Sequence, residues 1–588
     1  MKHARWIWSF WKPHRGWLVL LAFLTLLSSA VAIGYPLIFK FLIDNLERSL
    51  SAGDPALASS TTWRLVWLFA VIGLARSLTH LYPGVRAMIN AKLGMDIRRY
   101  YFARIIQKGY AFFQKLRTGD LVTRLTDDIE GFPKIAWFCC SGIFRAIESS
   151  SKFIFCMAVM LSMNWKLALL SITMLPLMLY IFYRLRSALT LRAQQQQKII
   201  SRTNDALEAA FSGVRILKAF TAEDNQSREF RKLLDERIGV EVNLVKLWMG
   251  IMQLYWGIEF VGQMIVVVAG GFMVIRGSLT PGEFYAFYIY LSLLMQPLID
   301  IPQLFVSSRQ AFACIDREIE IEETKGGTET VFIGVQPLKS VNSIELRNAS
   351  FRFGPDLPWA LSELNLTLHR GERAAVVGAV GSGKTTLIKV VSGLLPPTEG
   401  EVLINGEPIS SWDIRSYRSR VGYIPQEATL FSESVADNIR FGRDIEYDAV
   451  RESLEMAQVI DEMEAMPNGL NQVLGQKGLT VSGGQKQRLA IARALAHSPD
   501  LLLMDDVTAS LDAENERKFW NVFSQRFPDA ACLIVTHRLA TARQADIIYV
   551  LHEGKIVGKG THAQLIAECE EYRNFLTRDE LKIALGTA

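Results

Sequence analysis

Six stretches of the chain, beginning near Trp17, Trp63, Trp137, Trp165, Leu254 and Pro281, are each close to the length of apolar helix that crosses a bilayer. For any one of them taken alone, a helix buried in a soluble protein is the lesser alternative. Six in succession, in a chain of 588 residues that is 50% hydrophobic, exclude that reading and require a polytopic membrane domain in the first half. Basic residues orient it, because Lys and Arg accumulate on the cytoplasmic side. The connections from Lys92 to Arg124 and from Arg184 to Lys246 are rich in both, whereas those near Ser49 to Thr62 and near Met163 carry few. Both termini and both long connections are therefore expected in the cytoplasm. The opening "MKHARWIWSFWKPHRGW" has no signal-cleavage pattern and reads as an amphipathic interfacial helix anchored by Trp and basic residues. The net charge of +5 is explained by those loops and gives no reason to invoke nucleic acid, and the six cysteines show no metal-ligand spacing.

The second half carries chemistry. In "GAVGSGKTT", Gly378, Gly381 and Gly383 let backbone N–H groups close around phosphates, Lys384 can reach the terminal phosphates, and Thr385 is placed for Mg²⁺. The motif follows the strand-like "RAAVVG" and precedes a helix-like run, as a phosphate loop requires. Further on, "LLLMDD" is an apolar buried strand ending in two carboxylates. In that pattern Asp505 holds Mg²⁺ through water, and the next residue, Asp506, orients the attacking water.

Between and beyond these lie "VSGGQKQR" (Val481 to Arg488), "SLD" (Ser510 to Asp512) and "THR" (Thr536 to Arg538), and with them the chain resembles the ATP-binding cassette (ABC) transporters. The resemblance implies a multi-domain fold: an all-α polytopic membrane domain of six transmembrane helices, exporter type, followed by an α/β P-loop nucleotide-binding domain. It places the membrane domain at 1–322, a Gly-rich linker at 323–340 and the cassette at 341–588. It implies that ATP is held by Gly378, Ala379, Val380, Gly381, Ser382, Gly383, Lys384, Thr385 and Thr386, with Phe353 in the place of the adenine-stacking aromatic. Mg²⁺ would be held by Thr385, Gln426 and Asp505. Asp506, His537 and Gln426 take the catalytic positions, Gln426 also sensing the membrane domain. The phosphate loop of one cassette faces Ser482, Gly483, Gly484 and Gln485 of another, where a helix N-terminus suits the terminal phosphate, so a second half-transporter is required. Gln476 stands where exporters often have Glu. Within the long loops, Phe112 to Ile129 and Phe211 to Asp224 resemble the intracellular loops that dock on the cassettes, with contacts expected at Gly119 to Asp128 and Gly213 to Phe220.

Position 506 departs from the family, which usually has Glu there. Asp withdraws the carboxylate by about 1.5 Å, and losing a positioned base costs roughly 10² to 10⁴-fold in rate. ATP binding is expected to survive and hydrolysis to slow. That division resembles the Asp-bearing subunit of heterodimeric multidrug and lipid exporters, whose partner is a different chain with Glu; a homodimer with an Asp base is the alternative. Spans and cassette on one polypeptide imply export of amphipathic or lipophilic molecules, drugs or lipids, across a bacterial plasma membrane. A competing class is an ATP-gated regulatory membrane protein. Arg76, His80, Arg86, Arg145, Glu148, Lys152, Glu259 and Asp300 are ionisable residues within or beside spans, where charge is costly and usually faces a cavity or a partner. Arg145, Glu148 and Lys152 are spaced three and four apart, so local cancellation is expected among them.

Overall fold

The structure, a computed structural model, describes residues 2–52, 55–324, 334–475, 481–507 and 513–576. Half of the linker (325–333), Gln476, and Ser510 to Asp512 lie outside the described residues. The chain divides into two compact units, one of 1–103 with 119–321 and one of 104–118 with 322–588.

The first unit is built of helices. Among the described residues six are long and apolar enough to cross a membrane: Lys2–Arg48, Thr62–Gln107, Ile135–Met163, Trp165–Leu185, Glu223–Ile275 and Pro281–Glu323. Each contains the start or the body of one of the six sequence windows. Several run far beyond the ~20 residues a bilayer accommodates, and their polar portions are the long basic connections of the sequence. Large apolar side chains such as Trp67, Leu74 and Phe260 point outward and are more than half exposed, the pattern of a surface covered by lipid or protein rather than water. The amphipathic opening forms the helix Lys2–Trp11, with Trp6 and Ile7 buried. It is pinned by two indole donors: Trp6 Nε1 to the Tyr101 hydroxyl at 2.7 Å and Trp11 Nε1 to the Cys139 carbonyl at 3.0 Å.

The second unit is α/β. One sheet is antiparallel, with β1 (Ser343–Phe351), β2 (Leu361–His369), β4 (Glu399–Ile404) and β5 (Glu407–Pro408) in the order β2-β1-β4-β5. The other, of six strands, contains β3 (Arg373–Val377), β6 (Val421–Ile424), β7 (Leu501–Asp505), β8 (Ala531–Val535), β9 (Ile547–His552) and β10 (Lys555–Gly560) in the order β10-β9-β3-β8-β7-β6. All its neighbours pair parallel except β9 and β10. Parallel strands are covered on both faces, which is why "AAVV", "LLLM" and "ACLIV" are continuous apolar runs with every residue buried.

The segment 104–118 groups with this cassette unit: the Tyr110 ring lies 5.4 Å from Lys389 Nζ, and Lys108 Nζ donates to the Thr324 carbonyl at 3.0 Å. The stretch Gly119 to Asp128, where the sequence places the first docking contacts, groups with the helical unit. The physical reason is charge pairing there. Asp120 and Asp128 both engage Arg317, and Arg124 reaches Asp120 and Glu320.

His497, at the end of the helix Gly483–Leu495, faces the Val421 carbonyl at 3.3 Å; burial, and then Arg443, push its imidazole down from 6.5 to about 4. Between those values the unfolded chain binds the proton and the folded cassette does not. Stability is therefore full above pH 6.5 and falls as pH drops toward 4, by at most about 1.4 kcal/mol per pH unit from this group. Thermal unfolding midpoints measured from pH 7 to 4 are expected to fall less steeply in His497→Gln than in the natural chain.

Candidate active site

The carboxyl ends of β3, β7 and β8 meet at one edge of the six-stranded sheet, where open α/β sheets place ligands. β3 runs into the loop Gly378 to Gly383, which opens the helix Lys384–Val391. Two glycines in the loop are obligatory. Gly383 has φ +104°, and an added Cβ would lie 2.5 Å from the Ala360 carbonyl oxygen; at Gly378 it would lie 2.1 Å from that of Leu551.

Lys384 is buried and folds back on the loop, donating to the Gly378 carbonyl at 2.9 Å, the Ala379 carbonyl at 2.7 Å and the Ser382 hydroxyl at 3.4 Å. Burial pushes its ammonium down to about 8, against the opposing pull of Asp506 and Asp505. Thr385 donates its hydroxyl to Asp505 Oδ1 at 3.0 Å, joining the phosphate-loop helix to the end of β7. Burial raises the Asp505 carboxyl, and the Thr385 hydrogen bond is the largest counterweight. A hydroxyl and a carboxylate at hydrogen-bond distance in a half-dry site are the hard oxygen donors Mg²⁺ prefers, so the residues present fit that ion.

Asp506 leaves the strand with φ +53°, in the left-handed region where Asp is one of the few tolerated side chains. Its backbone N–H donates to the Val535 carbonyl at 2.9 Å. Its Oδ1 is buried with no hydrogen-bond partner.

A cavity of about 560 Å³ collects these groups. Of the residues expected from sequence, Phe353, Val380, Gly381, Gly383, Lys384, Thr385, Thr386, Gln426, Asp505, Asp506 and His537 line it. Gly378, Ala379 and Ser382 shape the loop behind, holding Lys384. Ser482, Gly483, Gly484 and Gln485 do not line this cavity. They open another helix, where Ser482 and Gln485 form a reciprocal cap: Gln485 N–H to Ser482 Oγ at 3.2 Å and Ser482 N–H to Gln485 Oε1 at 2.8 Å. Sequence reasoning missed Trp359, Glu553 and Gly554, which also line the wall. Trp359 carried a usable signal, an aromatic six residues past Phe353 and beside a strand; it stacks 4.7 Å from the Arg352 guanidinium.

Comparison with known proteins agrees with this architecture. Residues 18–298 match the ABC transporter transmembrane region and residues 361–509 match the ABC transporter family. The chain is 30% identical over 495 residues to a probable multidrug resistance ABC transporter ATP-binding/permease protein of Bacillus subtilis (strain 168), covering 82% of this chain and 83% of that protein. It is also 30% identical over 497 residues to an ATP-dependent lipid A-core flippase of Syntrophus aciditrophicus (strain SB), covering 83% and 80%. A solved bacterial Atm1-family ABC exporter with ATP bound has the same fold, with a TM-score of 0.77 over 96% of this chain and 99% of that one at 21% identity. The chain belongs to the ABC transporter family. It is an exporter half-transporter, with a membrane domain and an ATP-binding cassette on one polypeptide, and an ATPase coupled to transmembrane transport.

Gly383→Ala combines a forbidden φ with a backbone clash, so nucleotide affinity is expected to fall by at least about tenfold, equivalent to ~1.4 kcal/mol. Titration with a fluorescent ATP analogue checks it.

Proposed function

We propose that the chain is one half of a dimeric exporter whose own phosphate-loop site binds ATP firmly and hydrolyses it slowly. In this reading the membrane domain is 1–322, the linker 323–340 and the cassette 341–588. The nucleotide's phosphates lie in the loop Gly378 to Thr386 with Lys384 turning from loop carbonyls to phosphate oxygens. The base packs on Phe353. Thr385, Gln426 and Asp505 hold Mg²⁺, which when bound neutralises charge building up on the phosphates. His537 faces the terminal phosphate, and the partner's equivalent of Ser482 to Gln485 closes the site from across the dimer.

The observation that carries this reading is Asp506. Phe353, Lys384, Thr385, Gln426, Asp505 and His537 all line the cavity, yet the carboxylate at the water-orienting position is one methylene short, with a buried oxygen that has no hydrogen-bond partner. A different half-transporter bearing Glu would restore one competent site, formed by its phosphate loop and this chain's capped Ser482 helix. A homodimer is the second reading, favoured by His537 and Gln426 both lining the cavity. Relatives named for multidrug resistance and for lipid A-core flipping support drugs or lipids, amphipathic in either case, as the exported class. The same bacterial relatives and the basic loops support a plasma membrane location with both termini in the cytoplasm.

ATPase activity of the purified chain in lipid, beside Asp506→Glu, tests the site. The natural chain is expected to be nearly inactive and the variant about ten to a hundred times faster, within the range general-base catalysis supplies. An ordinary rate in the natural chain, unchanged by Glu, would establish Asp as a working base and the homodimer as the functional unit.

A further inference from the structure

The helix Pro281–Glu323 is about twice the length a bilayer needs, so its apolar run is spent by about residue 300. Glu318 stands in the polar extension beyond, on a stretch that also carries Arg309, Asp316, Arg317 and Glu320. Unlike those neighbours it is fully buried, within this one chain and before any second half-transporter is added. Neither of its carboxyl oxygens has a hydrogen-bond partner. A carboxylate ionised in that position would be among the most costly groups in the protein.

The cations beside it are already committed. Arg124 is 2.8 Å from Asp120 and 2.8 Å from Glu320; Arg317 is 2.5 Å from Asp120 and 2.6 Å from Asp128. Lys134 holds Asp127 and, at 3.1 Å, Asp128. Three cations therefore meet four carboxylates, and the cluster is one negative charge in excess before Glu318 is counted. The charges that reach Glu318 are Asp128 and Asp120, which oppose its ionisation, and Arg124 and Arg317, which favour it; the Cys314 thiol, one turn back, lies against Asp128. Burial first, and then Asp128, push its carboxyl up from 4.5 to about 8. Among the described residues no group of three His, Cys, Asp or Glu side chains is arranged to hold a metal ion, so a proton is the charge that fits.

We propose that Glu318 is a proton-binding site: its carboxyl is protonated while the end of this helix packs on Gly119 to Asp128, and it gives the proton to solvent when the two part. Between pH 4.5 and about 8 the packed arrangement binds one proton more than the parted one, so packing is firm at low pH and loosens as pH rises. The chain passes between the helical unit and the cassette unit at 118–119 and at 321–322. Asp120 adjoins the first crossing and Glu320 the second, so loosening this cluster frees both connections and makes them responsive to pH. The inference is independent of position 506 and stands or falls apart from the slow-site reading.

Infrared difference spectra of the full chain in lipid test it without turnover or a partner subunit. The natural chain is expected to show at pH 6 the carbonyl stretch of a protonated carboxyl that Glu318→Gln lacks, and to lose it as pH passes about 8. Asp128→Asn removes the opposing charge and should lower that midpoint by about one pH unit or more without abolishing the band. Hydrogen exchange of the peptide 119–128 reads the packing, and the ratio of natural chain to Glu318→Gln at each pH cancels the chemistry of exchange itself. That ratio should climb by up to about tenfold per pH unit from pH 6 to 8, the slope one proton gives. A fluorescent ATP analogue confirms that the variants keep a folded cassette, and should Glu318→Gln fail to fold, the midpoint shift in Asp128→Asn decides. Absence of a band sensitive to Glu318→Gln at pH 6, or a midpoint that Asp128→Asn leaves in place, overturns the proposal. A flat exchange ratio also overturns it, by making Glu318 a neutral packing residue with no hold on the loop.

Discussion

Hydrocarbon offers no partner to a peptide N–H or C=O, so a chain that crosses it must satisfy its own backbone within each crossing. The first half of this chain meets that constraint with six helices, and much else follows from it. Because their hydrogen bonds are internal, the helices continue past the apolar core without penalty. The portions beyond it carry the Arg and Lys that water must solvate. Side chains facing outward are apolar, as at Trp67 and Phe260, and ionisable ones gather instead around the cavity of Arg76 and Asp300.

The cassette is governed by a different constraint, the geometry of a parallel sheet. Residues more than a hundred positions apart, Thr385 and Asp505, come within 3.0 Å because β3 and β7 both end at the same edge, with β8 between them. The phosphate loop is short and glycine-rich because backbone must approach backbone there: Gly383 beside Ala360, Gly378 beside Leu551. Lys384 buried against two carbonyls is held in a place where its charge is only partly welcome, which is why its ammonium sits near 8. A phosphate entering the loop would supply the compensation that burial withholds.

What could be read from sequence was what is local or repeated. The six spans are periodic over whole helices, and the phosphate loop lies within nine consecutive residues, so both were legible. Pairings across helices were not. The spacing of Arg145, Glu148 and Lys152 suggested mutual cancellation, but only Glu148 and Lys152 pair locally, and Arg145 turns to Asp300 on another helix. That choice depends on which helices are neighbours, which no spacing along one helix encodes. Likewise Glu553 and Gly554 reach the nucleotide cavity through the turn between β9 and β10, far along the chain from any motif. Nor does sequence show that Asp120, Arg124 and Asp128, which read as part of a charged loop tip, pair with Arg317 and Glu320 far along the chain.

Binding and chemistry are separable at this site for a reason visible in its geometry. The groups proposed to hold a nucleotide, Lys384, Thr385 and the loop backbone, are fixed by their own hydrogen bonds and owe nothing to position 506 beyond a distant attraction. Asp506 is fixed by its backbone alone, through the bond to Val535, and its left-handed φ sets the direction in which any side chain there must leave. Shortening that side chain therefore changes reach without changing aim. A base that points correctly but falls short by about one bond leaves affinity intact and raises only the barrier, by roughly 3–5 kcal/mol if the full benefit of the base is lost. In the proposed reading such a cassette still closes around ATP, and closure driven by binding is work that does not wait for hydrolysis. In the proposed heterodimer, one site that holds and one that turns over would divide those two tasks between them.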